Sequence, residues 1–259
     1  MFDPSKMNEL ESALDQSIAG SLSYNGQRCT ALKLFYIPEA YGEAFAKKLA
    51  GRVEKLTVGL PWQRWSDGSA SSLSYSKITP LPNKSRTDHM KRLIDDAVSK
   101  GAKIMNENGG SIIGGSESTL MVPAVLYPVD PSMDIFYEEQ FGPVVPIATY
   151  DSLDSVLKYG REGDYGQQVS IFTSDAETED ATLLLDSFSS VFGKININQQ
   201  CGRSPDTLPF SGRRSSAMGT MSGKFESTIT LYGIPSIVRY DRYFLFVKPN
   251  NWFLILLFQ

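Results

Sequence analysis

The feature that most constrains this chain is an alternation of two apolar patterns along its length. Short apolar runs at 33–37, 120–126, 144–150, 169–173 and 194–197 have the length of buried strands. Between them lie stretches with helical spacing. Leu10, Leu14, Ile18 and Leu22 recur every fourth residue, with Asn8 and Glu11 at the spacing of a capping box. Further helices are expected at 39–56, 87–100, 152–159 and 176–190. The 87–100 segment is the clearest of these. Met90, Leu93, Ile94, Ala97 and Val98 make its core face, and Gly101 stops it. Strands separated by helices imply an α/β fold, with a largely parallel sheet covered by helices on both faces. The glycine pairs Gly109-Gly110 and Gly114-Gly115 lack the spacing of a dinucleotide loop and read as turns.

With 259 residues, the chain is long enough for a substantial core. A net charge of −4 argues against a nucleic-acid surface. Two cysteines give neither a disulfide framework nor a zinc pattern, and suit a reduced, cytoplasmic setting. The opening residues lack the apolar core of a secretory signal. The run 252–258 is uninterrupted apolar sequence, too short to span a membrane. It is expected to be a buried strand, an oligomer contact or an exposed sticky tail. In the last case, deletion after Tyr243 would improve solubility.

Chemistry concentrates in two blocks. In Asn25-Gly26-Gln27-Arg28-Cys29-Thr30-Ala31, a glycine lets the backbone turn sharply at the end of a helix. That turn aims the Cys29 sulfur into a cleft, beside a cation and backbone N–H groups that favour a thiolate. Cys29 is the candidate nucleophile. The second block is Glu138-Glu139-Gln140-Phe141-Gly142-Pro143-Val144, where Gly142 and Pro143 fix a turn. Cys201 reads as structural, with an accessory redox role as its alternative. His89, the only histidine, is expected to face solvent. That position sets aside a cysteine–histidine hydrolase, and the lack of a second histidine sets aside a metal cluster.

The two blocks, in this order, resemble the aldehyde dehydrogenase superfamily, and the resemblance runs from about Glu9 to Tyr240. Within it, residues 23–31, 203–214 and 219–222 are most similar to the NADP-dependent non-phosphorylating glyceraldehyde-3-phosphate dehydrogenases. The resemblance implies a thiohemiacetal and then a thioester on Cys29, with hydride passing to NADP (NAD being the alternative). Hydrolysis of the thioester completes the reaction. It implies oxyanion stabilisation by the Cys29 backbone N–H, and substrate binding by Arg28, Thr30 and Arg203, the two arginines converging on the phosphate. Arg203-Ser204-Pro205-Asp206 departs from the subfamily's usual Arg-Gly-Pro-Asp. Glu139 is implied to accept from the nicotinamide-side ribose, and Phe141 to pack on the nicotinamide region.

The family's asparagine oxyanion donor, its general-base glutamate and its Rossmann-like cofactor domain are expected upstream of this sequence. Lacking that base, hydrolysis would slow by roughly 10²–10⁴-fold. The implied organisation is 1–28 as the cofactor-domain tail and lead-in helix, and 29–210 as the catalytic domain. Residues 211–240 form a return and oligomerisation segment, with a contact strand near 228–238, and 241–259 an atypical tail. The implied partners are a small phosphorylated aldehyde and further copies in a dimer or tetramer of the full-length form, with no nucleic acid and no membrane. Two alternatives stand beside this reading: a general aldehyde dehydrogenase without phosphate preference, and a catalytically incompetent fragment.

Overall fold

The computed structural model describes residues 7–66, 73–173, 179–203, 210–217, 220–221, 237–239 and 253–257. Its centre is an eight-stranded sheet built from β1 (Leu34–Pro38), β2 (Lys103–Ile104), β3 (Ala124–Tyr127), β4 (Val144–Tyr150), β5 (Gln168–Thr173), β6 (Lys194–Ile197), β7 (Ile237–Arg239) and β8 (Phe253–Leu257). The spatial order is β7-β6-β5-β8-β1-β4-β3-β2. Neighbours β1 and β4, β3 and β4, β5 and β6, and β6 and β7 run parallel. β8 is antiparallel to both its neighbours, and β2 is antiparallel to β3. The sheet is therefore mixed but mostly parallel.

Among the described residues, six α-helices accompany it: α1 (Met7–Leu22), α2 (Glu39–Val53), α3 (Lys84–Ser99), α4 (Asp134–Tyr137), α5 (Leu153–Glu162) and α6 (Glu179–Ser189). Strand side chains alternate between faces, so β1 feeds two cores. Phe35 and Ile37 join Leu14 of α1 and Phe45, Leu49 and Val53 of α2. Leu34 and Tyr36 join Met90 and Leu93 of α3, Val156 of α5 and Leu184 of α6. Helices thus cover both faces. Each large side chain buried this way contributes on the order of 2 kcal/mol.

Several boundaries move, each for a local reason. α3 starts a turn earlier than 87, because the Asn83 side chain accepts from the Arg86 N–H and caps the first turn. It stops at Gly101, which has φ +111°. Val98 is not a core residue: it is 43% exposed. Asn8 lies inside α1, not at its cap. The 120–126 run divides into Leu120–Met121 and β3. Residues 174–178, at the expected start of the last helix, lie outside the described residues, as does 228–236 of the expected contact strand. Ile237–Arg239 pairs with β6. Within the apolar run, Phe253–Leu257 is a strand in the middle of the sheet.

Candidate active site

The turn that carries Cys29 begins where α1 ends. Tyr24, Asn25 and Gly26 take left-handed φ values of 53°, 59° and 70° in succession. Two of them carry side chains, at a cost of roughly 1–2 kcal/mol each. Asn25 offsets this by holding Thr79 as another peptide would. Its Nδ2 donates to the Thr79 carbonyl at 2.9 Å, and its Oδ1 accepts from the Thr79 N–H at 2.9 Å. The chain then makes a tight turn in which the Ala31 N–H donates to the Arg28 carbonyl at 3.0 Å. Cys29 sits in this turn with its side chain exposed, and Thr30 beside it is buried.

The second loop follows α4. Phe141 also has a left-handed φ, 47°. The Gln140 side-chain Nε2 donates to the carbonyls of Lys33 at 2.9 Å and Val144 at 3.0 Å, which pins the loop to the start of β1. α3 grips it from the other side. Arg86 donates to the Gln140 carbonyl at 2.7 Å and the Phe141 carbonyl at 3.3 Å, and Arg92 reaches Asp134 and Glu138. His89 is not a solvent-facing residue. Its side chain is only 21% exposed and lies 3.6 Å from the Glu138 carboxylate, on the same helix face as Arg86 and Arg92. Burial, and then the charge of Arg86, hold its imidazole below the ordinary range.

The two loops meet at backbone level. A Cβ on Gly26 would stand 2.8 Å from the Ser21 carbonyl oxygen and closer still to that of Gly142. Only glycine allows that approach at this φ. Between the loops lies Lys33, whose side chain is 2% exposed. Its ammonium is 3.4 Å from the Glu139 carboxylate, donates to the Gly26 carbonyl at 3.3 Å, and stands 4.5 Å from the centre of the Phe141 ring. Sequence reasoning placed Lys33 in a strand but gave it no role, although one lysine opening an apolar run was a legible signal. Both loops immediately precede parallel strands, β1 and β4, so the candidate site lies at the amino ends of the strands. That is the opposite end from the usual ligand crevice of open α/β sheets.

The expected substrate residues are placed as follows. Arg28 folds back onto α1, with Nη2 donating to the Gly20 carbonyl at 3.0 Å. Its Nε is buried without a hydrogen-bond partner among the described residues. The Arg203 guanidinium, exposed, lies 5.5 Å from the centre of the Phe210 ring. Cys201 is 1% exposed and lies between Asn196 Nδ2 at 2.9 Å and Ser170 Oγ at 3.1 Å. Burial pushes its thiol well above the ordinary range, so it is the less reactive kind of cysteine. Among the described residues, no group of three histidine, cysteine or acidic side chains could hold a metal ion. Among them, too, no helix is long and apolar enough to cross a membrane.

Residues 5–232 match the family model described as the aldehyde dehydrogenase family. The NADP-dependent glyceraldehyde-3-phosphate dehydrogenase of Apium graveolens is 32% identical over 212 residues, which are 82% of this chain and 38% of that protein. The vanillin dehydrogenase of Pseudomonas fluorescens is 30% identical over 217 residues, 83% of this chain and 41% of that one. Among solved structures, the NADP-dependent glyceraldehyde-3-phosphate dehydrogenase from Bacillus halodurans C-125, complexed with NADP, superposes with a TM-score of 0.67 at 28% identity. The match covers 82% of this chain and 40% of that one. The chain thus spans about two-fifths of the length of these relatives. On the family match and the two adjoining motif loops, this chain belongs to the aldehyde dehydrogenase family.

Proposed function

We propose that this chain is the catalytic-domain portion of an NADP-dependent aldehyde dehydrogenase whose substrate is glyceraldehyde 3-phosphate and whose product is 3-phosphoglycerate. The observation that carries this reading is the packing of the exposed Cys29 turn against the loop bearing Glu139 and Phe141. The Cys29 sulfur adds to the aldehyde carbon, and its own backbone N–H donates to the oxyanion that forms. Arg28 and Arg203 take the substrate phosphate, with Thr30 lining the approach.

The residues present fit one end of the cofactor. Glu139 keeps 30% of its side chain exposed while Lys33 holds it from the protein side. Free carboxylate lone pairs are what a ribose diol requires. Glu139 and Phe141 would therefore hold the nicotinamide-side ribose. NADP, when bound, supplies the hydride acceptor that turns the Cys29 adduct into a thioester.

The test is NADPH formation from glyceraldehyde 3-phosphate by the full-length protein that carries this chain. Cys29→Ala should abolish it. Arg28→Ala and Arg203→Ala should raise KM for the phosphorylated aldehyde by about tenfold or more and leave glyceraldehyde unaffected, the loss of one charge-assisted contact. An unchanged KM would leave a general aldehyde dehydrogenase. A second reading is favoured by the coverage, about two-fifths of the relatives, and by the lack of a Glu-Leu-Gly-Gly base motif in the sequence. On it the chain is a fragment or oligomerising remnant, and no NADPH forms although Cys29 still reacts with an alkylating agent.

A further inference from the structure

Among the described residues, Lys33 is a buried charge that touches both motif loops, and the proposed chemistry does not use it. Its backbone carbonyl accepts from Gln140, and its ammonium bonds the Gly26 carbonyl, pairs with Glu139 and faces the Phe141 ring. Four contacts thus run from a single residue to the turn that carries the nucleophile and to three successive residues of the other loop. A lysine buried to 2% exposure is an expensive way to fill space, since an apolar side chain would fill it without desolvating a charge. The charged and titratable groups facing it are Glu139 on one loop, and Cys29 and Arg28 on the other.

We propose that Lys33 is a positioning residue whose buried side chain ties the Glu139–Phe141 loop to the Gly26 carbonyl, so that the cofactor-facing groups and the nucleophile turn keep one fixed spacing. The proposal rests on the reading that Glu139 and Phe141 face the cofactor. Burial, opposed by Glu139, pulls Lys33 down to about 8, so opening the loops to water takes up a proton above that pH, and mild alkali holds both loops closed more firmly.

The test is amide hydrogen exchange on the 259-residue chain at pH 7 and pH 9, expressed as protection factors so that intrinsic exchange cancels. In the wild type, residues 25–30 and 138–142 should gain about tenfold protection together between pH 7 and pH 9, because opening then takes up a proton. Lys33→Met should lower protection in both loops by about tenfold at pH 7, the loss of one charge-assisted hydrogen bond, and show no such pH response. Glu139→Gln, a change in one loop, should loosen the other at pH 7. Urea unfolding of each variant guards against a global cause. The proposal is overturned if the loops respond independently, if pH 9 loosens either of them, or if protection in Lys33→Met falls equally across the sheet. No aldehyde or NADP enters this experiment. Its failure therefore leaves the dehydrogenase reading standing, and absent NADPH formation with intact coupling would count only against that reading.

Discussion

Replacing Gly26 by alanine tests the meeting of the two loops directly. The new methyl group would lie 2.8 Å from the Ser21 carbonyl oxygen and 3.0 Å from the Gly142 carbonyl carbon, with the Gly142 oxygen nearer still. Both neighbours are backbone, so neither can swing aside, and relief requires the loops to part. The left-handed φ of +70° adds roughly 1–2 kcal/mol for a residue with a Cβ. Overpacking against rigid neighbours adds about 1–3 kcal/mol. The sum is a destabilisation of about 2–5 kcal/mol. Gly51→Ala is the control, because a Cβ there meets nothing within 4 Å and the position is inside α2. It should stabilise by about 0.5–1 kcal/mol. Urea unfolding measures both, and the rate of Cys29 alkylation by iodoacetamide should change only in Gly26→Ala. A Gly26→Ala chain within about 0.5 kcal/mol of wild type, inside the range of an ordinary surface change, would refute the close approach of the loops.

Three further outcomes are expected. The folded protein lowers the proton affinity of Lys33 to about 8, below its ordinary 10.5, so the unfolded chain binds more protons above pH 8. Stability should therefore rise with pH between about 8 and 9.5 and fall again toward pH 8, and Lys33→Met should flatten that slope in denaturant titrations. Iodoacetamide should label one thiol of the native chain, Cys29, with Cys201 at least about a hundredfold slower and both labelled in urea, as mass spectrometry of the peptides will read. Removing residues 244–259 should reduce solubility, because it strips β8 from between β1 and β5 and leaves two open strand edges. Light scattering that shows a better-behaved truncated chain would refute the central placement of that strand.

Much of the frame was legible because strand and helix leave different apolar periods. The 144–150 run became β4 without change, and the α3 core face held at Met90, Leu93, Ile94 and Ala97. What escaped were properties set by distant partners. Val98 has the right spacing for the core, yet no element packs over it. His89 looked solvated because its own helix register says so, but Glu138, far off in sequence, lies against it. The same limit explains the site. The glycine, cysteine and acidic residues stood out as types, while Lys33, Gln140 and Arg86 act through carbonyl groups that the other loop supplies. Asn25 stood in the quoted motif, but its bond to Thr79 is a matter of a left-handed backbone that letters do not encode.

The placement of β8 has a consequence for how the chain acquires its shape. Leu34 stands opposite Leu257, so strands from opposite ends of the sequence are neighbours, and β5 meets β1 only through them. The β1-β4-β3-β2 half and the β5-β6 pair can each assemble from strands closer in sequence. Their union must wait until residues 253–257 emerge during synthesis. Such a topology has a high contact order, which slows folding. It also leaves two half-sheets with bare facing edges during translation, the kind of species that chaperones shield from aggregation. Ribosome-bound chains halted before residue 253 should thus populate the half-sheets without the finished sheet, which makes the final strand the step that commits the molecule to its native topology.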